Sequence, residues 1–146
     1  MSRHRLLERA NIMWVGPRPY ESLPGYLRAF DVAMIPFAIN PITLATSPLK
    51  LYEYMAAGKP IITTPMPECQ HFAEVNIARH AEEFAASLDG ARAQGEAADF
   101  RKRLRAIAHG NTWAQRVEAA RRALERQSQS APDWSVQASG SRRSQP

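Results

Sequence analysis

The sequence predicts an α/β domain, a parallel sheet with helices on its faces, and three observations carry that prediction. Short apolar runs alternate along the chain with segments of helical period. Asn11–Val15 and Val32–Phe37 lack the polar alternation of a half-solvated strand, as strands covered on both faces do. Proline follows or closes the runs, where it cannot donate to a ladder and starts a turn.

Residues 1–10 read as a short polar helix or a frayed end. Asn11–Val15 (N-I-M-W-V) reads as a buried strand ended by Gly16-Pro17. Leu23, Tyr26, Leu27 and Phe30 then fall on one helix face, with Ser22 as N-cap and Pro24 in the first turn, where a missing N–H is harmless. Val32–Phe37 is the second strand, and Ala38–Thr46 a loop rich in Asn, Thr and Pro. Ser47 and Pro48 open the strongest helix, Pro48–Ala57, with Ser47 as N-cap and Pro48 first in the helix. Gly58 stops it at the position that favours left-handed backbone. Ile61–Thr64 is a β-branched third strand and Val75–Ala78 a short fourth. Helices follow at Ala81 to about Ala93, Phe100–His109 and Thr112–Gln127, the last carrying Trp113, Val117, Ala120 and Leu124. The chain thus divides into a folded part, 1–127, and a polar tail, 128–146, of disordered composition.

With 146 residues and 45% apolar side chains, the chain has the size and composition of one globular domain. A single cysteine, Cys69, excludes an internal disulfide framework and any multi-cysteine zinc site. The longest apolar run is far below the roughly 18 residues that span a bilayer, and no export signal opens the sequence, so a cytoplasmic protein is expected. The net charge of +5 is unevenly spread. Residues 1–100 hold 9 basic and 11 acidic side chains, residues 101–146 hold 10 and 3, so the basicity belongs to the C-terminal helices and tail.

Ligands in parallel α/β sheets bind beyond the carboxyl ends of the strands, where the loop 36–47 feeds the helix start at Ser47. Such a helix start offers unpaired N–H groups and a positive dipole end, suited to a phosphate. Lys50 stands where a capping box would put Glu or Gln, and a cation there is locally unfavourable by about 0.3–1 kcal/mol unless an anion binds beside it. Glu53, three residues on and on the same face, is placed to accept from the vicinal hydroxyls of a ribose. A plain surface ion pair between the two is the alternative. The apolar residues around them predict a buried helix whose charges need partners.

The segments FDVAMIPF and SPLKLYEYMAAGKPIITTP strongly resemble the C-terminal, donor-binding part of retaining glycosyltransferases with two Rossmann-like domains, the GT-B fold of glycosyl transferase group 1. NIMWVGPRPYESLPGYLRAFDVAMIPF resembles that family's preceding strand–helix–strand, and NTWAQRVEAA its closing Trp-containing helix. The resemblance covers roughly Asn11–Leu124. It implies transfer of a sugar from a nucleotide-sugar to an acceptor, with Glu53 matching the second Glu of the family's spaced pair, which binds the donor ribose. Ala45 stands where the first Glu falls. Pro48-Leu49-Lys50-Leu51-Tyr52-Glu53 instead matches a Pro-x-Lys-x-x-Glu subgroup, which implies Lys50 near the diphosphate. Ser47, Asn40 and Thr43 are loop candidates for sugar or phosphate hydrogen bonds, and equally ordinary turn residues. The resemblance starts at the family's third strand. It implies a partial Rossmann-like sheet without the first two βα units, an Asn11–Val15 strand that is poorly anchored or re-paired with the sheet, and the need for a complementing N-terminal domain or chain.

No cofactor or metal is expected: the histidines have no ligand spacing, and this fold's retaining transferases use dipoles and basic residues at the leaving diphosphate. His71 reads as an incidental loop histidine near the donor side, Cys69 as a small buried residue, and Trp113 as a core anchor. The basic stretch Arg101–Arg105, with Arg116, Arg121, Arg122 and Arg126, reads as solvated helix faces first, peripheral contact with an anionic membrane surface second, and nucleic-acid binding last, there being no reader motif. Two functional readings stay open: a donor-binding part of a glycosyltransferase, incomplete alone, and a non-catalytic remnant or interaction module.

Overall fold

The computed structural model describes residues 8–130, and the outermost predicted segments, 1–7 and 131–146, lie outside the described residues. The chain divides into two compact units, Met1–His109 and Gly110–Pro146. The first unit holds a parallel sheet of β1 (Ala33–Ile35), β2 (Ile61–Thr63) and β3 (Val75–Ile77) in the order β1-β2-β3. Its helices are α1 (Leu23–Arg28, after a 3-10 turn at Tyr20–Ser22), α2 (Pro41–Leu44), α3 (Leu49–Ala56), α4 (Pro67–Gln70), α5 (Ala81–Glu96) and α6 (Ala98–Gly110). The predicted α/β class, parallel sheet and flanking helices are what the chain adopts.

The strand sequences explain the layers. Side chains alternate across a strand, and the ladder sets Ile61 beside Val75 and Ile62 beside Asn76. One face buries Ile35, Ile61 and Val75 against Leu51 and Met55 of α3, Met66, Cys69 of α4, and Phe100 and Leu104 of α6. The other buries Ile62 against Ala91 of α5 and Ala78, with Val32 and Phe84 packed alongside. Each fully buried Leu, Ile or Met is worth about 1.5–3 kcal/mol. Between the strands, the buried Thr63 hydroxyl lies 3.1 Å from the Ile35 carbonyl, so its one polar group is satisfied.

α3 ends as its sequence dictates. Gly58 has φ +68°, the Gly58 N–H donates to the Met55 carbonyl at 2.9 Å and the Lys59 N–H to the Tyr54 carbonyl at 2.9 Å. This pair of reversed bonds satisfies the last carbonyls and turns the chain into β2.

Several expectations are corrected. Asn11–Val15 forms no strand. It is irregular, with Met13 86% exposed, because a strand exists only as part of a ladder and no described strand flanks β1 on its free side. Met34, between two buried neighbours on β1, is correspondingly half exposed. α3 starts at Leu49, one residue later than predicted. Pro48 is its N-cap, in extended conformation, and Ser47 makes no capping bond. The loop 38–46 contains the helical turn α2, capped by Asn40. Only Leu51 and Met55 of α3 are buried, so the helix is covered on one stripe and not all round. The last helix, α7 (Trp113–Ser130), runs three residues past the predicted end at Gln127. Its Trp113 is 71% exposed and anchors no core, since the described residues of its own unit offer no second element to cover it.

Candidate functional site

The candidate residues of α3 occupy two settings. Lys50, in the first turn, is exposed and has no hydrogen-bond or ion-pair partner among the described residues. The surface ion pair with Glu53 does not form. Glu53 is partly buried, and its Oε1 accepts a hydrogen bond of 3.2 Å from the Tyr20 hydroxyl. The Glu53 carboxylate raises the Tyr20 phenol pKa, first by its charge and then by that bond. Burial, and secondly the same carboxylate, raises that of Tyr54.

Asn40, Thr43 and Ser47 lie on the segment that leads into α3. Asn40 Oδ1 accepts from the N–H groups of Ile42 and Thr43, each at 3.0 Å, while Thr43 Oγ1 accepts from the Asn40 N–H at 2.9 Å. The two side chains form a reciprocal cap on α2. Ser47 is exposed beside Pro48.

Glu53 opens onto a cavity of about 660 Å³ in the first unit. Lys50, Ser47, Asn40 and Thr43 are not part of its wall. Tyr20, Leu23 and Leu27 line one side, Ala57 and Gly58 another, and Arg101 and Arg105 a third. Phe30 and Asp31, which precede β1, and Lys59 and Pro60, which precede β2, place it at the amino ends of the strands. Parallel sheets more commonly bind ligands at the opposite edge.

Sequence reasoning missed this cavity, and its construction shows why. Three helix C-termini converge there, each with a cation. Lys59 Nζ donates to the Arg28 and Phe30 carbonyls, at 3.1 and 2.6 Å, past the end of α1. Arg105 lies over Gly58 at the end of α3, its Nε 3.2 Å from where a Cβ would stand. Arg101 Nη1 donates to the Gly95 and Glu96 carbonyls, at 2.6 and 2.7 Å, at the end of α5. Cations are favourable at the negative end of a helix dipole. Arg101, one of the stretch read as solvated helix face, is therefore a structural cap, while Arg105 is exposed beside the end of α3. A third, Arg103, has its Nε 3.9 Å from a Glu74 carboxylate oxygen and its guanidinium 5.8 Å from the Phe100 ring centre. The only early signal was their spacing on one face of α6, at Arg101 and Arg105.

The remaining candidates resolve simply. Cys69 is buried under the sheet, and burial, above the smaller effects of Thr63 and Glu68, raises its thiol pKa. A thiol so placed is a packing residue. His71 follows the end of α4. Beside it on that helix, Glu68 accepts a short hydrogen bond from the Tyr52 hydroxyl. Among the described residues no three His, Cys, Asp or Glu side chains are grouped to hold a metal ion. No described helix is long and apolar enough to cross a membrane.

The family of glycosyl transferases group 1 matches residues 2–93, more than half the chain. The putative teichuronic acid biosynthesis glycosyltransferase TuaH of Bacillus subtilis (strain 168) is 28% identical over 118 residues, which is 77% of this chain and 30% of that protein. The chain thus spans about 30% of the length of the curated relative it matches. No solved structure gives a significant match.

Proposed function

We propose, on the premise that this chain belongs to the glycosyl transferases group 1 family, that it supplies the donor-binding part of a glycosyltransferase acting on a nucleotide-sugar. The observation that carries the reading is Glu53: a partly buried carboxylate on α3, one turn from the exposed Lys50 in the helix's first turn. In this reading Glu53 accepts from the two ribose hydroxyls of the donor, and Lys50 with the start of α3 faces the diphosphate. Ser47, Asn40 and Thr43 stand on the approach to that helix start. The reaction breaks the bond between the sugar's anomeric carbon and the diphosphate oxygen. An acceptor hydroxyl oxygen takes the carbon and loses its proton, and the nucleoside diphosphate leaves. The dipole and cations stabilise the negative charge that develops on the leaving group, with no divalent metal in the scheme.

Transfer needs an acceptor site as well as a donor site. A chain that spans about 30% of its relative fits a role as one part of that machinery, and we include in the proposal a complementing domain or chain that carries the acceptor. Titration of UDP- and GDP-sugars against the full chain tests the donor reading. Wild type should bind one of them saturably, and Glu53→Ala and Lys50→Ala should each weaken binding by about 10–100-fold, as expected for charge-assisted hydrogen bonds of roughly 1.5–3 kcal/mol. A wild type that binds no nucleotide-sugar sinks the reading.

A further inference from the structure

The cavity at the amino ends of the strands carries chemistry that donor binding does not use. It lies wholly within the first unit, and its volume of about 660 Å³ falls inside the range of roughly 300–1,000 Å³ of small-molecule sites. Five cationic and three anionic side chains stand on its wall. Two of the cations are already engaged, since Lys59 and Arg101 donate to the carbonyls past α1 and α5. Arg28, Arg92 and Arg105 remain, all exposed, and their side chains have no hydrogen bond or ion pair among the described residues. The carboxylates of Asp31 and Glu96 are equally free, and that of Glu53 accepts from the exposed Tyr20 phenol. Between these groups the wall is apolar, with Leu23, Leu27, Pro60 and the ring of Phe30, which is 39% exposed.

We propose that this cavity is a carbohydrate site, separate from the donor site, that takes a short uncharged saccharide. A guanidinium only donates hydrogen bonds and a carboxylate only accepts them. Three free guanidinium groups and three carboxylates around one cavity balance in charge, and the ligand group that meets both kinds is a hydroxyl. A saccharide presents many hydroxyls around rings whose C–H faces suit the apolar wall. Other ligand classes match less of it. A phosphate would engage the arginines and bring its charge against Asp31 and Glu96, and an ammonium would meet the converse. A wholly apolar ligand would strip water from the charged groups and return no hydrogen bond. The cavity is also set apart from the start of α3. Lys50 does not line it, whereas Gly58 at the far end of that helix does, and eight helical residues span about 12 Å. Glu53, between the two ends, is the one group both sites share. The proposal does not rest on the donor-binding reading.

Amide NMR titration of the full chain with maltotriose, cellotriose and chitotriose reads the site. At least one should bind saturably with millimolar affinity, moving the signals of Leu27, Gly58 and Lys59 while those of Leu49 and Lys50 stay in place. Arg105→Gln should weaken that binding at least tenfold. Ala56→Trp, which fills the cavity from an exposed position on α3, should abolish it. Both positions are exposed, so the variants should keep the native spectrum. Three silent titrations overturn the proposal, and so does binding undiminished in either variant. Shifts centred on Leu49 and Lys50 overturn it by placing the saccharide at the donor site. Inorganic phosphate that moves the same amides at lower concentration overturns it by making the cavity an anion site. Failure of the UDP- and GDP-sugar titrations bears on the donor reading alone.

Discussion

The Tyr20 hydroxyl donates to Glu53 Oε1 across 3.2 Å, joining a turn near the start of the described chain to the middle of α3. The bond occupies one oxygen of the carboxylate proposed to hold the donor ribose. A ligand diol must share or displace it. Tyr20→Phe should therefore leave the fold intact and tighten nucleotide-sugar binding by a few fold, since the removed partner is a single exposed hydrogen bond worth about 0.5–1.5 kcal/mol. Weaker binding in Tyr20→Phe would show that the phenol contacts the donor instead of competing with it.

The same pair has a pH signature. The Tyr20 and Tyr54 phenols are raised, so the folded state favours their neutral forms. That contribution to stability is complete below the ordinary tyrosine range and is lost as pH rises through the raised values. Phenolate absorbance during an alkaline titration should show both groups ionising late, and Glu53→Gln should bring them earlier. Unchanged titration in Glu53→Gln would mean that the carboxylate does not face these rings in solution.

Gly95 should not tolerate a side chain. A Cβ there would stand 2.6 Å from Pro60 Cγ, where α5 passes the entry to β2. Gly95→Ala should cost about 1–3 kcal/mol in urea unfolding, despite the better helix propensity of alanine, because proline cannot move aside. A stabilised variant would place α5 farther from the sheet than it is here.

Asn40 can be tested for its two roles separately. Its side chain accepts from the Ile42 and Thr43 N–H groups and caps α2. Asn40→Ala should destabilise by about 1 kcal/mol, while Asn40→Asp keeps the acceptor and most of the stability. Donor binding that falls in Asn40→Asp, at unchanged stability, would add a ligand contact to the capping role.

Cys69 should be inert in the native state. Burial holds its thiol above the usual range, so the neutral form is favoured and the associated stability is lost only as pH rises through the raised value. An aromatic disulfide reagent should react with it at the rate of unfolding. Rapid reaction with the folded chain would contradict the packing.

Much of the fold was legible because it depends on local chemistry. β-branched Ile61-Ile62-Thr63 had to be a strand, and Gly58 had to end α3, since few other residues accept φ +68° there. The resemblance also reached the right family through contiguous residues of α3 and β2. The errors were errors of partnership. Asn11–Val15 has a strand's composition but no strand among the described residues to pair with, and Trp113 has a core residue's composition but no described core of its own unit. Ser47 and Asn40 are both good cap residues, but only Asn40 stands at an N-cap and bonds the helix N–H groups, since Pro48 takes that position on α3.

The sequence by itself determined the α/β class, the strands near Ile35, Ile61 and Val75, the helix that carries Lys50 and Glu53, and the family. Each of these is written in neighbouring residues, through periodicity, β-branching and turn chemistry. Only the tertiary structure decided what those residues face. It set Glu53 on the wall of a cavity that Lys50 does not line, gave Glu53 the Tyr20 hydroxyl as partner, and turned Arg101 and Arg105 onto helix ends. The physical reason is distance along the chain. A helix C-terminus is an electrostatic site whose negative end can be met by any cation the fold brings near, and here α6 meets α3 across more than 40 residues.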